Sequence, residues 1–180
     1  MTDAHEVKAT YTVDEYYPDH ETRTESSEFR ADKRLEHKEH LHCAISGQPN
    51  PELHHVFLEW AHSGFVDWAT VKGVATGEIT ELPVLDKKTD QPTGETFPTK
   101  ESLIWMICKM AELRGFDWQT FDPADPTSFV DSMANMLPLS AKFHRHKDHG
   151  IHLEPVPNWI VRGWPLKPDA IVTPDERVKK

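Results

Sequence analysis

The chain has 180 residues, 37% of them hydrophobic and 28% charged, and 30 acidic against 20 basic side chains give it a net charge of -10. Its longest apolar run, around Leu103 to Met110, falls well short of the roughly 20 residues a membrane span needs, so no membrane association is expected, and about 70% of the unfolded surface can be buried at this length. The polar N-terminus does not read as a secretory signal, two cysteines cannot build a disulfide framework, and the acidic excess taken whole argues against nucleic acid; a cytoplasmic protein is expected.

Residues 1 to 28 are polar and acidic, carry Tyr11, Tyr16 and Tyr17, and show no hydrophobic periodicity, which predicts an N-terminal arm. From Phe29 to His42 there are too few apolar residues for a core helix, so an exposed strand or helix should lead into Cys43-Ala-Ile-Ser-Gly47. Beyond Val56, Phe57, Trp60, Ala61, Phe65, Trp68 and Val71 recur at helical spacing, with Gly64 as a break. A loop region marked by Gly73, Gly77, Pro83, Pro92, Gly94 and Pro98 should follow.

The strongest helical pattern comes next. Thr99 is placed to cap it, Glu101 to sit in its first turn, and Leu103, Ile104, Met106, Ile107, Met110, Ala111 and Leu113 to form a wide apolar face ending at Gly115. Cys108 lies on that face and reads as a small buried hydrophobe. A short helix should open at Asp125 and Pro126, with Phe129, Val130 and Met133 turned inward. Met136 to Leu139 suits a strand kept short or at an edge by Pro138. Ser140 can then cap a helix of about two turns, Ala141 to His149, that Gly150 ends. After His152 five prolines interleaved with Trp159, Ile160 and Trp164 predict an extended strap. No internal repeat is present.

The 12 histidines divide by spacing. His5, His20, His37, His40, His42 and His62 have no partner pattern and read as surface or core residues, and His146 would face away from His144 on a helix. His54 and His55, in contrast, follow the Cys43-x-x-Ser46-Gly47 turn, and His144 follows Asn135 and the strand-like run that opens a His-rich helix. On that helix His144 and Asp148 are four apart and share a face, a nitrogen and an oxygen ligand suited to a divalent metal.

Taken together, these residues resemble the HNH endonuclease family of the phage or mobile-element type, whose core is the ββα-metal motif. The likeness covers residues 41 to 57 and 133 to 152. It implies an α+β fold in which the two motif halves frame a long, mainly helical insertion (58–131), ahead of a Pro/Trp-rich C-terminal strap (153–180), all in one domain from residue 29 onward. It further implies a DNA endonuclease or nickase with His55 as general base, Asn135 fixing the loop that holds His55, and one divalent ion (Mg2+, Mn2+, Ni2+ or Zn2+) on His54, His144 and Asp148. His149 or His152 takes the place of Asp148 if the helix register differs, and either of them, with Lys142, Arg145 and Lys147, is a candidate for contacting substrate. The family's structural zinc is not expected: Cys43, Ser46, Ser140 and Phe143 stand where two Cys-x-x-Cys pairs would bind it.

Regional charge reopens the question of DNA. Residues 1–40 (six basic, eleven acidic) and 56–131 (six basic, thirteen acidic) carry the acidity, whereas 132–180 (eight basic, five acidic) are net positive. One phosphate-binding face on an otherwise repelling body is therefore consistent with the sequence. The competing expectation is a non-catalytic, acidic HNH-like scaffold, an inhibitor or adaptor of a nucleic-acid-processing protein. In either case the insertion is the natural surface for a protein partner or a second copy of the chain.

Overall fold

The computed structural model describes residues 26–145, 150–153 and 163–168. The first 25 residues of the expected arm lie outside them, as do most of the strap and positions 146–149. The fold is α+β. Its elements run α1 (Ser27–Glu39), β1 (Glu52–His55), α2 (Trp68–Thr76), β2 (Glu81–Leu85), β3 (Pro92–Pro98), α3 (Leu103–Leu113), α4 (Thr127–Val130), β4 (Met136–Leu139) and α5 (Ala141–Arg145), with 3-10 turns at Trp60–Phe65, Thr99–Glu101 and Ile151–Leu153. The stretch after Ser26 is thus a helix rather than a strand; the Ser26 hydroxyl accepts the Phe29 N–H at 2.9 Å and so caps its start.

The main hydrophobic core belongs to the segment between the two motif halves. Val71 and Val74 of α2, Ile104, Ile107, Cys108 and Ala111 of α3, and Phe129 and Val130 of α4 pack around Trp68, Trp118 and Phe121. Phe129 is the hub of the aromatic cluster, its ring centroid lying 5.9 Å from Trp68, 4.9 Å from Trp118 and 5.8 Å from Trp164. Two indole N–H groups find carbonyls inside this apolar mass, Trp118 at Cys108 O and Trp164 at Phe57 O, so neither ring leaves a buried donor unpaired. The described segment around Trp164 is also tied down by Asp67 N–H to Pro165 O and Lys167 N–H to Phe65 O.

Local chemistry moved several boundaries. Gly73, expected in a loop, lies inside α2, where a Cβ would come within 2.6 Å of Ile79 Cδ1; the glycine serves close packing rather than a break. Gly77, at φ 82°, ends that helix. The supposed loop beyond it is largely an antiparallel ribbon of β2 and β3, paired from Glu81↔Pro98 to Leu85↔Pro92 with a register shift between Pro83 and Leu85. Two strands alone have only outer edges, so Pro83, Pro92 and Pro98 are tolerated there. Ser102, not Thr99, caps α3, accepting Trp105 N–H at 3.2 Å, because the Thr99 hydroxyl is spent on Thr80 O and Glu101 belongs to the preceding 3-10 turn. Pro126 rather than Asp125 is the cap position of α4.

Candidate metal centre

β1 and β4 pair antiparallel with Glu52↔Leu139, Leu53↔Pro138, His54↔Leu137 and His55↔Met136, and Ser140 joins β4 directly to α5. The two sequence halves are therefore one strand pair and a helix. Three contacts lock the arrangement. Ala44 N–H donates to Pro138 O at 2.8 Å, holding the Cys43–Gly47 turn against β4. Val56 N–H donates to Asn135 O at 2.8 Å. Finally the fully buried Asn135 side chain accepts the Phe57 and Leu58 N–H groups at 3.0 and 3.2 Å and donates to Leu58 O and Val130 O at 2.9 and 2.7 Å. Asn135 thus ties the loop after His55 to α4, and its amide reaches backbone rather than the imidazole.

Successive side chains of a strand point to opposite faces, so adjacent histidines must part company. His54 turns toward α5, its ring centroid 5.2 Å from that of His144 and 4.9 Å from that of His152. One ring nitrogen from each of the three lies within 4.8 Å of the others, an arrangement that can hold a metal ion. His144 Nε2 and His152 Nε2 approach to 3.0 Å. Burial, reinforced by the neighbouring His152, His144 and His55, pushes the pKa of His54 down to about 3, so its ring is neutral and keeps a lone pair available near neutral pH. Three convergent imidazole nitrogens suit a divalent ion of borderline softness such as Zn2+ or Ni2+ better than Mg2+, which prefers carboxylate and water oxygens. Of the residues expected to complete the ligand set, Asp148 and His149 lie outside the described residues, and His152 is the one brought to His54 and His144.

His55 occupies the other face. Its Nε2 lies 3.0 Å from Asp131 Oδ1 in a buried hydrogen bond, with Asp131 at 1% exposure, and its Nδ1 lies 3.6 Å from Glu59 Oε2. Phe29 of α1 stacks over the ring at 6.2 Å. The second Glu59 oxygen, buried and without a hydrogen-bond partner among the described residues, sits 3.9 Å from His54 Nε2.

Glu52, Glu59 and Asp131 were not singled out from sequence. Strand periodicity could have found Glu52, which shares a face with His54 two residues on, but nothing local connects Asp131 to a histidine 76 positions away. Of the basic residues considered for substrate, Lys142 is exposed, with its ammonium over the Phe143 ring, whereas Arg145 is engaged with Glu52 at 2.9 Å. Lys147 lies outside the described residues.

The Cys43–Gly47 segment is a hydrogen-bonded turn. Gly47 (φ 68°) closes it, its N–H reaching Cys43 O at 2.8 Å, and Ser46 N–H points at Cys43 Sγ at 3.4 Å. Burial opposes ionisation of Cys43, but hydrogen bonds from the Ser46 side chain and from the Ser46, Ser140 and Ile45 backbones outweigh it and bring the thiol down to about 6. Ser140, expected to cap α5 through its side chain, has a buried hydroxyl with no hydrogen-bond partner among the described residues; its carbonyl accepts from Phe143 and His144 instead.

Comparison of the chain with protein-family models, with curated proteins and with solved structures found no match.

Proposed function

We propose that the chain is a metal-dependent, HNH-like DNA endonuclease or nickase that hydrolyses phosphodiester bonds at the β1–β4–α5 unit. The observation that carries this reading is the different placement of adjacent histidines, His54 facing His144 and His152 while His55 faces Asp131. Phosphodiester hydrolysis is assisted by a cation where negative charge accumulates and by a separate base for the attacking water, and consecutive strand positions give the two histidines different neighbours while Glu59 lies near both.

In this reading His54, His144 and His152 hold the divalent ion, which when bound supplies Lewis-acid stabilisation of the leaving oxygen. His55 is the general base. Asp131 occupies Nε2 and keeps a proton there, leaving the Nδ1 lone pair to accept a proton from water as its oxygen attacks phosphorus. The imidazolium that results is stabilised by the buried carboxylate of Asp131 on one side and by Glu59 on the other. Asn135 keeps the loop beyond His55 fixed, so the ring does not have to be ordered anew in each turnover. The net positive C-terminal third, including exposed Lys142, supplies the attraction for phosphate, so binding weakens steeply with salt.

The test is cleavage of supercoiled and single-stranded DNA at low salt with Zn2+, Ni2+, Mn2+ or Mg2+. Cleavage that His55→Ala abolishes without loss of ion binding supports the reading, and intact DNA under every ion overturns it.

The second reading, an acidic scaffold that binds a partner protein, is favoured by one feature of the insertion. Met106, Met110 and Leu113 form an exposed apolar line on α3, and the β2–β3 ribbon is exposed on most of both faces. Tight complex formation with a basic partner, undiminished by alanine at both His55 and His144, would support it.

A further inference from the structure

A metal-binding histidine must offer the ion a lone pair, and which ring nitrogen carries it is decided by the partner of the other. For His144 that partner is Glu52, whose Oε2 lies 2.7 Å from Nδ1. A carboxylate can only accept, so Nδ1 must carry the proton. The lone pair is thereby left on Nε2, the atom 3.0 Å from His152 Nε2.

Glu52 is itself held. Arg145 grips it through Nε, at 2.9 Å from Oε1 and 3.1 Å from Oε2, and through a terminal guanidinium nitrogen at 2.9 Å from Oε1. Both Glu52 oxygens thus accept from the guanidinium, which fixes the carboxylate in place with Oε2 facing His144 Nδ1. The sequence arranges this economically: Glu52 and His54 are two apart on β1, and His144 and Arg145 are consecutive on α5, so the packing of one strand on one helix presents ligand and orienting group together.

We propose that Glu52 is a positioning residue, fixed by Arg145, that locks His144 in the tautomer protonated on Nδ1 and aims its Nε2 at the ion shared with His54 and His152. The proposal rests on the metal reading of the site given above. It assigns Arg145 a role away from substrate: its charge is committed to the carboxylate behind the ligand.

Two measurements test it. The first is Co2+ affinity, read from visible absorbance in competition with a chelator, for the wild type, Glu52→Ala, Glu52→Gln and Arg145→Ala. Removal of a ligand's orienting partner should weaken binding about 10- to 100-fold in Glu52→Ala. Glu52→Gln, whose amide oxygen still accepts from Nδ1–H, should recover most of the loss, and Arg145→Ala should fall between the two. The second uses no metal and no variant: nitrogen NMR of His144 in the wild-type protein at about pH 8, above the ordinary histidine range, should report a proton on Nδ1 rather than on Nε2.

Wild-type protein that binds no Co2+ overturns the metal reading and this proposal together. Wild-type binding matched by an equally tight Glu52→Ala overturns this proposal alone, as does a proton on Nε2 of His144. If Glu52→Ala does not fold, the Glu52→Gln affinity and the tautomer decide, because a glutamine variant that binds Co2+ as weakly as His144→Ala, which lacks the ligand itself, would contradict hydrogen-bond orientation.

Discussion

His55 Nε2 and Asp131 Oδ1 lie 3.0 Å apart although 76 positions separate them in the chain. The contact joins the motif strand to the end of α4, and it makes the candidate base dependent on the helical segment between the motif halves. Asp131→Asn leaves size and burial almost unchanged but no longer stabilises a positive ring. DNA cleavage should drop by at least ~100-fold, as when an orienting carboxylate is lost elsewhere, while Co2+ affinity stays at the wild-type value. Single-turnover cleavage alongside metal titration checks this, and an unchanged rate would remove Asp131 from the account.

Asn135 makes four hydrogen bonds at a fully buried position, two to N–H groups of the loop after His55 and two to carbonyls. Alanine there orphans all four backbone groups. Each unsatisfied buried group costs roughly 1–3 kcal/mol, partly relieved by relaxation and entering water, so Asn135→Ala should lose about 3 kcal/mol or more in urea unfolding. A loss below about 1 kcal/mol would mean that the loop does not depend on the amide.

The motif halves were legible because their chemistry is local. A double histidine and a strand-length apolar run can each be read in a few residues, and the pairing of β1 with β4 brings them together. The helix α3 was legible for the same reason, its apolar face repeating every three or four positions. What stayed hidden depends on distance. Gly73 reads as a loop signal until Ile79 is seen against it, and Thr99 reads as a cap until its hydroxyl is seen bonded to Thr80. The segment read as an insertion proved to hold the main core, which its sequence did not announce because the aromatic residues that converge on Phe129 are spread from Trp68 to Trp164 and share no period. Glu59 and Asp131 are ordinary acidic residues by sequence and enter the site only through packing.

Cys43 and Cys108 should titrate far apart. Burial pushes Cys108 up to about 12, whereas the hydrogen bonds around Cys43 override its burial and bring it down to about 6. Ultraviolet thiolate absorbance of the folded protein should therefore rise by one thiolate with a midpoint near pH 6, and Cys43→Ser should abolish that rise. The folded value lies below the unfolded one, so the stability Cys43 contributes is complete above the unfolded pKa and is lost as pH falls through about 6. The stability gap between wild type and Cys43→Ser should shrink on acidification across that window; a midpoint near the ordinary cysteine value would show that the turn does not hold a thiolate.

Glu59 stands between the two histidines, one oxygen 3.9 Å from His54 Nε2 and the other 3.6 Å from His55 Nδ1. Glu59→Gln removes its charge while keeping its shape. The expected result is a lower cleavage rate with the fold intact, because the imidazolium formed at His55 loses one of its two carboxylate neighbours. Circular dichroism and cleavage measured on the same preparation check this, and a wild-type rate would confine the stabilising role to Asp131.

The central claim is that His55 performs proton transfer while His54, His144 and His152 hold the ion. The most direct measurement is DNA cleavage at low salt by wild type and His55→Ala, each loaded with the same divalent ion and each assayed for bound metal. The account predicts that wild type cuts, and that His55→Ala retains the ion but leaves the DNA intact. Metal-loaded wild type that cuts no DNA, or a His55→Ala variant that cuts at the wild-type rate, would contradict it.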